Sequence, residues 1–311
     1  MPARTTAPPY RGRFAPSPTG PLHFGSLVAA IGSYLQARHH GGSWRVRIED
    51  LDPPREMPGT ADAILRTLEQ YGFEWDGTVL YQSSRHEAYR EALEQLRRDG
   101  RSYRCNCSRK QISEEAQRLG LPAGVYPGSC RTSAISGHQP HAIRLLCPEA
   151  KISFTDRIQG HFSQRLEQEV GDFVLRRADG LFAYQLAVVV DDAYQGITEV
   201  VRGSDLLDNT PRQIALQQAL GLNSPDYLHL PVVLNSEGQK LSKQSFAPAL
   251  DNAQPLPVLW QGLAFLGQRP IPELLQGDIN ALWRWAIEHW HSEYIPRKLG
   301  YPLNGMHGSP D

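Results

Sequence analysis

The sequence predicts an α/β fold: a parallel sheet that carries a nucleotide site. Three observations support this. The first hundred residues alternate strand and helix patterns, an order that gives parallel strands joined by right-handed crossovers. Near the start, Arg13-Phe14-Ala15-Pro16-Ser17-Pro18-Thr19-Gly20-Pro21-Leu22-His23-Phe24-Gly25-Ser26 reads as a strand, a tight Pro/Gly turn and a helix start. Far downstream, Lys240-Leu241-Ser242-Lys243-Gln244 reads as a short loop with two lysines. A helix N-terminus offers free amides to phosphate, and mobile lysines meet the charge that builds up when a phosphate chain is attacked.

The elements follow in order. Residues 1–10 read as a disordered lead-in without the apolar stretch of a secretory signal. Arg11–Phe14 reads as the first strand. Leu27, Val28, Ile31, Tyr34 and Leu35 fall at helical spacing between Gly25 and His40, and Gly41-Gly42 stops that helix. Trp44–Ile48 alternates as a strand does. A helix is expected over about Thr60–Tyr71. Another runs from Ser84, read with Glu87 as a capping box, to Gly100. Residues 101–170 hold all four cysteines and little periodicity, and read as an insertion. Phe173–Arg176 and Phe182–Val190 read as strands. Thr210-Pro211-Arg212-Gln213 reads as a helix start, with Thr210 as cap, proline in the first turn and Gln213 as reciprocal cap. Pro231–Leu234 reads as the last strand. Residues 255–300 are helical in pattern and rich in tryptophan, at spacings that suit packing better than base stacking. The expected division is a lead-in at 1–10, two halves of a nucleotide-binding domain at 11–100 and 171–250, an insertion at 101–170 and a short helical part at 251–311.

Composition narrows the class only broadly. The 311 residues, 40% of them apolar, suffice for a large core. Lys and Arg (32) balance Asp and Glu (33), so net charge neither selects nor excludes a polyanion partner. The longest apolar run, Leu186–Val190, is far too short to span a bilayer, so no membrane partner is expected. Four cysteines in so long a chain do not read as a disulfide framework, and a cytoplasmic location is expected.

Four ordered motifs carry a resemblance. Arg13–Gly20 with His23, Arg47-Ile48-Glu49-Asp50, Val201-Arg202-Gly203-Ser204-Asp205-Leu206 and Lys240-Leu241-Ser242-Lys243, with the stretch Asp172–Gln213, resemble class I glutamyl-tRNA synthetases over roughly residues 11–250. Only about seventy residues follow Lys243, too few for the anticodon-binding part of such enzymes. Cys105-Asn106-Cys107 with Tyr126 and Cys130 resembles the zinc site of a shortened paralogous family, the glutamyl-Q tRNA(Asp) synthetases. The resemblance implies a class I Rossmann-type domain with a zinc-bearing insertion, a short helical C-terminal part and no anticodon-binding domain. It implies an ATP-dependent ligase that activates glutamate without tRNA, then transfers it to queuosine at the first anticodon position of tRNA(Asp). A truncated synthetase charging a tRNA 3′ end, or a non-catalytic tRNA-binding module, are the alternatives. The partners implied are tRNA(Asp), glutamate and ATP with Mg²⁺, and a monomer is expected.

The resemblance also implies site residues. Arg13, Phe14, Ala15, Pro16, Ser17 and Arg202 address the substrate carboxylates, Glu49 the ammonium, and Tyr184 closes the pocket. His23, Gly25 and Lys243 bind ATP. His23, Lys243 and Lys240 are the catalytic set, the lysines neutralising the leaving pyrophosphate. Arginine offers a planar fork that suits a carboxylate and favours glutamate over glutamine. Taken alone, Arg202 reads equally as a surface ion pair with Asp205 or Glu199, and Tyr184 as a core aromatic of a strand. Cys105, Cys107 and Cys130 suit a tetrahedral, structural Zn²⁺, and Tyr126 joins them through the family pattern alone. Cys147 reads as a plain buried thiol. Arg97, Arg98, Arg101, Arg104, Arg109 and Lys110 form either a phosphate-contacting face or a solvated helix end.

Overall fold

The computed structural model describes residues 9–136, 139–241 and 248–303. Lys243, Ser242 and Gln244 therefore lie outside the described residues, as does most of the 1–10 lead-in. The first half of the chain gives β1 (Arg11–Phe14), α1 (Phe24–His39), β2 (Ser43–Ile48), α2 (Thr60–Gln70), β3 (Leu80–Tyr81) and α3 (His86–Arg98). β2 pairs in parallel with both β1 and β3, as the strand–helix alternation predicts. Next come β4 (Ser102–Cys105), α4 (Arg109–Arg118), β5 (Ala142–Leu145), β6 (Ile152–Asp156), β7 (Gly160–Gln164), α5 (Leu166–Glu169) and β8 (Val174–Arg176). Here the pairing is antiparallel: β4 with β5, β5 with β8, and β6 with β7 as a hairpin. Then follow α6 (Tyr184–Gln195), β9 (Glu199–Gly203), α7 (Thr210–Leu220), β10 (Asp226–Leu230), β11 (Val232–Leu234), α8 (Pro255–Phe265), α9 (Ile279–Glu288) and β12 (Gly300–Pro302). β9 and β10 are parallel. The amide of Thr198 donates to Arg11 O at 3.0 Å and brings β9 beside β1.

α1 is the central pillar. The predicted apolar positions are all buried, and so are Ala30, Gly32 and Ser33 on the remaining faces, because the sheet covers one side and α8 and α9 the other. A Cβ on Gly32 would lie 2.5 Å from Leu230 Cδ1, so glycine lets α1 approach β10 this closely without displacing the Leu230 side chain. Trp44, Val46 and Ile48 of β2 face this same core. The tryptophans pack as their spacing suggested: Trp283 donates to Tyr71 O at 3.0 Å and Trp290 to Gln36 Oε1 at 2.7 Å. The second core lies on the other side, with Tyr89 and Leu96 of α3, Leu186 and Val189 of α6, and Leu216 of α7. No helix among the described residues is long and apolar enough to cross a membrane.

Four local expectations are corrected. Phe182–Val190 is not a strand; Tyr184–Gln195 is helix α6, wedged between α3 and α7. A short apolar run buried on all sides has no periodicity to separate helix from strand. Its end was legible, since Gly196 takes the left-handed conformation that closes helices. Ser84 and Glu87 do not form a capping box. Ser84 sits in a 3₁₀ turn and its Oγ donates to Tyr81 O, while Glu87 pairs with Arg90. Thr210 and Gln213 do not cap α7 either. A 3₁₀ turn, Ser204–Asn209, runs straight into the helix and its Leu207 carbonyl takes the Thr210 amide, so both side chains are released for other work. Finally, β11 is followed by β12, which pairs with it in parallel.

Candidate active site and metal centre

The parallel strands end on one rim, and a cleft of about 440 Å³ opens there. Arg13, Phe14, Ala15, Pro16 and Ser17 enter it from β1 and the turn beyond. His23 and Gly25 enter from the start of α1, Glu49 from the end of β2, Tyr184 from the start of α6, Arg202 from β9 and Lys240 from the segment after β11. Every sequence-predicted substrate residue among the described residues thus lines one cavity. The surface ion-pair reading of Arg202 is overturned, because its guanidinium is buried and Asp205 pairs with Lys240 instead, at 2.5 Å. The strand reading of Tyr184 is overturned by α6.

His23 is the N-cap of α1: its Nδ1 accepts the Ser26 amide at 3.3 Å. That bond puts the proton of a neutral ring on Nε2, where it can be donated to an anion. Gly25 keeps the turn tight, since a Cβ there would lie 3.1 Å from His23 Cε1 and 3.5 Å from Leu241 O.

Beneath the cleft lies a buried ion network. Asp192, from the last turn of α6, accepts from Arg13 Nε at 3.1 Å and from Arg47 Nη1 at 2.7 Å. Arg13 Nη1 also donates to Val201 O, and Arg47 Nη2 to Glu49 Oε1 at 3.2 Å. Burial works to raise the Asp192 pKa, but Arg13 and Arg47 outweigh it and hold the carboxyl below the usual range. For Glu49 burial wins over Arg47 and Arg13, and its pKa is raised. Glu49 is therefore the less satisfied carboxylate, and a cationic ligand group would restore what burial removes.

Arg202 is held from behind. Its Nε donates to His229 Nε2 at 3.0 Å and its Nη2 to Thr210 Oγ1 at 2.8 Å, while Nη1 stands 3.5 Å from the Tyr184 hydroxyl. No carboxylate pairs with it among the described residues. Sequence reasoning assigned no role to Arg47, Asp192, His229 or Asp156. Two signals could have found the first pair. Arg47 alternates with Trp44, Val46 and Ile48, and a parallel sheet is covered on both faces, so an alternate arginine must be buried and paired. Asp191-Asp192 directly follow an apolar run, where uncompensated carboxylates would be costly.

The second constellation is the cysteine cluster. The sulfurs of Cys105, Cys107 and Cys130 lie within 4.8 Å of one another. Cys107 and Cys130 Sγ are 3.3 Å apart, and Tyr126 Oη is 3.4 Å from Cys105 Sγ. Ligands of a tetrahedral zinc stand roughly 3.8 Å apart, so these donors fit one small cation. Burial, then the Cys130 hydrogen bond, push the Cys107 thiol up to about 12, so loading zinc there would release protons. Arg144 lies over the Tyr126 ring at 3.7 Å and fixes it. Cys147 stands outside the cluster, as read, with its thiol on Gly171 O. Arg97, Arg98, Arg101, Arg104, Arg109 and Lys110 are all exposed, and Arg97 is paired with Glu94.

Residues 10–254 match the family model for the catalytic domain of class I tRNA synthetases (E and Q). A glutamyl-Q tRNA(Asp) synthetase of Dechloromonas aromatica is 58% identical over 93% of this chain and 97% of that protein. One from Chromobacterium violaceum is 55% identical over 95% and 98% respectively. Among solved structures, a glutamate tRNA ligase from Elizabethkingia meningosepticum in complex with its amino acid superposes with a TM-score of 0.79. It is 27% identical, over 96% of this chain and 68% of that one. The chain belongs to the class I tRNA synthetase (E and Q) catalytic-domain family, in the group of ligases whose curated members are named glutamyl-Q tRNA(Asp) synthetase.

Proposed function

We propose that this chain activates glutamate with ATP, without RNA, and passes the glutamyl group to queuosine at the first anticodon position of tRNA(Asp). The observation that carries the amino-acid assignment is Arg202: a buried guanidinium lining the cleft, with no carboxylate of the described residues upon it. A substrate side-chain carboxylate completes that charge, whereas a neutral amide leaves it uncompensated. The acceptor assignment rests on the relatives' names and on their near-complete overlap with this chain.

In this reading Arg202 and Tyr184 hold the side-chain carboxylate, Glu49 the ammonium, and the Arg13–Ser17 segment the α-carboxylate. An oxygen of that α-carboxylate attacks the α-phosphorus of ATP, supplied with Mg²⁺, and the bond to the β-phosphate bridge breaks in line. His23 Nε2–H and the N-terminus of α1 steady the phosphates, and Lys240 and Lys243 neutralise the departing pyrophosphate. A queuosine hydroxyl then attacks the acyl carbon, its proton is lost and AMP leaves. The adenylate is already a good acyl donor, so this step needs mainly positioning. Cys105, Cys107, Cys130 and Tyr126 hold a structural Zn²⁺ that orders the loops around it. We read residues 11–100 and 171–250 as the two halves of the nucleotide-binding domain, with β8 continuing the sheet of the 101–170 insertion.

The test is to incubate the protein with labelled glutamate, ATP and tRNA from cells with and without queuosine. Label that requires queuosine and survives periodate treatment of the 3′ end supports the reading. Label on the 3′ end of queuosine-free tRNA would establish the glutamate tRNA ligase activity named for the structural relative instead. Glutamate-dependent pyrophosphate exchange should appear without RNA.

A further inference from the structure

Behind Arg202 runs a chain of buried contacts that ends in a different part of the fold. His229, in β10, accepts from Arg202 Nε through Nε2 and donates from Nδ1 to Asp156 Oδ2 at 2.6 Å. Asp156 closes β6 of the antiparallel hairpin, 73 residues away in the chain. Its carboxylate is itself fixed by backbone. The Ile158 and Gln159 amides donate to Oδ1 at 2.9 and 2.8 Å, and the His229 amide donates to both oxygens. The side chains of Asp156 and His229 are wholly inaccessible. With the Asp156 carboxylate accepting at Nδ1 and the Arg202 N–H donating at Nε2, the imidazole has one tautomer: proton on Nδ1, lone pair on Nε2. Burial, joined by the Arg202 charge, holds its pKa below the ordinary value against the pull of Asp156, so the ring stays neutral.

This arrangement solves a specific problem. A carboxylate placed directly on Arg202 would orient it but also neutralise it, leaving nothing for an acidic ligand. A neutral histidine grips Nε by a hydrogen bond and keeps the negative charge one ring further back. Thr210 takes the Nη2 edge in the same uncharged way. The guanidinium is thereby fixed on two edges, with Nη1 turned toward Tyr184 at the cleft. The hairpin does not need Asp156 to dock, since Arg157 reaches Glu199 at 2.7 Å and Asp226 at 2.8 Å.

We propose that Asp156 and His229 are positioning residues that aim Arg202 at the substrate side-chain carboxylate, so that the β6–β7 hairpin completes the amino-acid pocket. This rests on the assignment of Arg202 to that carboxylate made above. The test is glutamate-dependent pyrophosphate exchange by the full chain. His229→Leu removes the acceptor and should raise the KM for glutamate on the order of 10-fold to 100-fold. The KM for ATP should stay within about twofold, because uniform binding of the other substrate is untouched. His229→Gln returns a carbonyl near the position of Nε2 and should recover most of the loss. Asp156→Asn turns an amide donor toward the ring, moves its proton to Nε2 against the Arg202 N–H, and should act like His229→Leu. Parent-like glutamate KM in His229→Leu and Asp156→Asn overturns the proposal, as does an equal loss for ATP and glutamate. One readout needs no variant. Nitrogen-15 spectra of the parent protein should show one slowly exchanging imidazole protonated on Nδ1 alone, and the opposite tautomer or a doubly protonated ring overturns the proposal. Absence of any exchange by the parent protein would instead refute the glutamate reading, with the tautomer still deciding the geometry.

Discussion

Asp192→Asn should cost this protein a large share of its stability, although the residue fills no hydrophobic site. Its carboxylate is the counter-charge for two buried guanidinia, at 3.1 Å from Arg13 and 2.7 Å from Arg47. Removing one partner of a buried pair typically costs about 3–5 kcal/mol, because the remaining charge stays desolvated. Asparagine keeps the size and one acceptor oxygen, and Glu49 still sits 3.2 Å from Arg47, so the lower part of that range, ~3–4 kcal/mol, applies. At roughly 2 °C per kcal/mol for a chain of this length, the midpoint of thermal unfolding should fall by about 6–8 °C. The sign with pH is fixed by the depressed pKa of Asp192. Its contribution is complete above the unfolded value of about 3.9 and is lost as pH falls through the folded value, so parent and variant should converge in acid. Circular-dichroism melts of both proteins from neutral pH down to about pH 2 measure this. Glu87→Gln, which breaks the exposed Glu87–Arg90 pair, serves as control and should change stability by less than about 0.5 kcal/mol. An Asp192→Asn midpoint within about 2 °C of the parent at neutral pH would mean that the network is already solvated, and the reasoning fails.

Three further outcomes are expected. Gly25→Ala should lower glutamate-dependent exchange about tenfold or more through displacement of His23, with the unfolding midpoint little changed; parent-like exchange would show that the turn tolerates a Cβ. Lys243→Ala should lower adenylate formation by ~10²-fold or more while leaving stability unmoved, and near-normal exchange would remove Lys243 from the catalytic set. Cys107→Ser should reduce bound metal from about one zinc per chain and reduce transfer to tRNA, with exchange largely kept; a metal-free parent protein with full transfer would refute the centre.

What the sequence revealed was the chemistry that is local in the chain. The Pro/Gly turn after β1, the helix that follows it and the alternation of β2 each declare themselves within a few residues, and the strand–helix order implies parallel pairing. The cysteine cluster is similarly local, with three sulfurs inside twenty-six residues. The supports of the cleft were not legible, because their partners are far away. Arg47 meets Asp192 across 145 residues, and His229 meets Asp156 across 73. Thr210 misled for a related reason: its local pattern is that of a helix cap, but its hydroxyl is spent on Arg202. Side chains that can cap a helix can also serve a buried guanidinium, and only the fold decides between these uses.

The two constellations are joined to the fold in different ways, and this explains why loss of metal should spare activation. The cleft residues come from the ends of parallel strands, which a parallel sheet gathers on one rim however distant they are in sequence. The cysteine cluster stands in the antiparallel part, tied to its surroundings mainly through Asp172. That carboxylate takes Arg131, next to Cys130, at 2.7 Å, and also the Tyr103 hydroxyl and the Cys147 amide. None of these contacts touches the cleft. The one described element of the antiparallel part that reaches the Arg202 side is the β6–β7 hairpin, and it is held there without the cluster. Arg157 pairs with Glu199 and Asp226, and Gln159 donates to the His229 carbonyl at 2.9 Å. Disordering the cysteine loops therefore disturbs Arg131, Tyr103 and the exposed arginines of β4 and α4. It leaves Asp156, His229 and Arg202 in place.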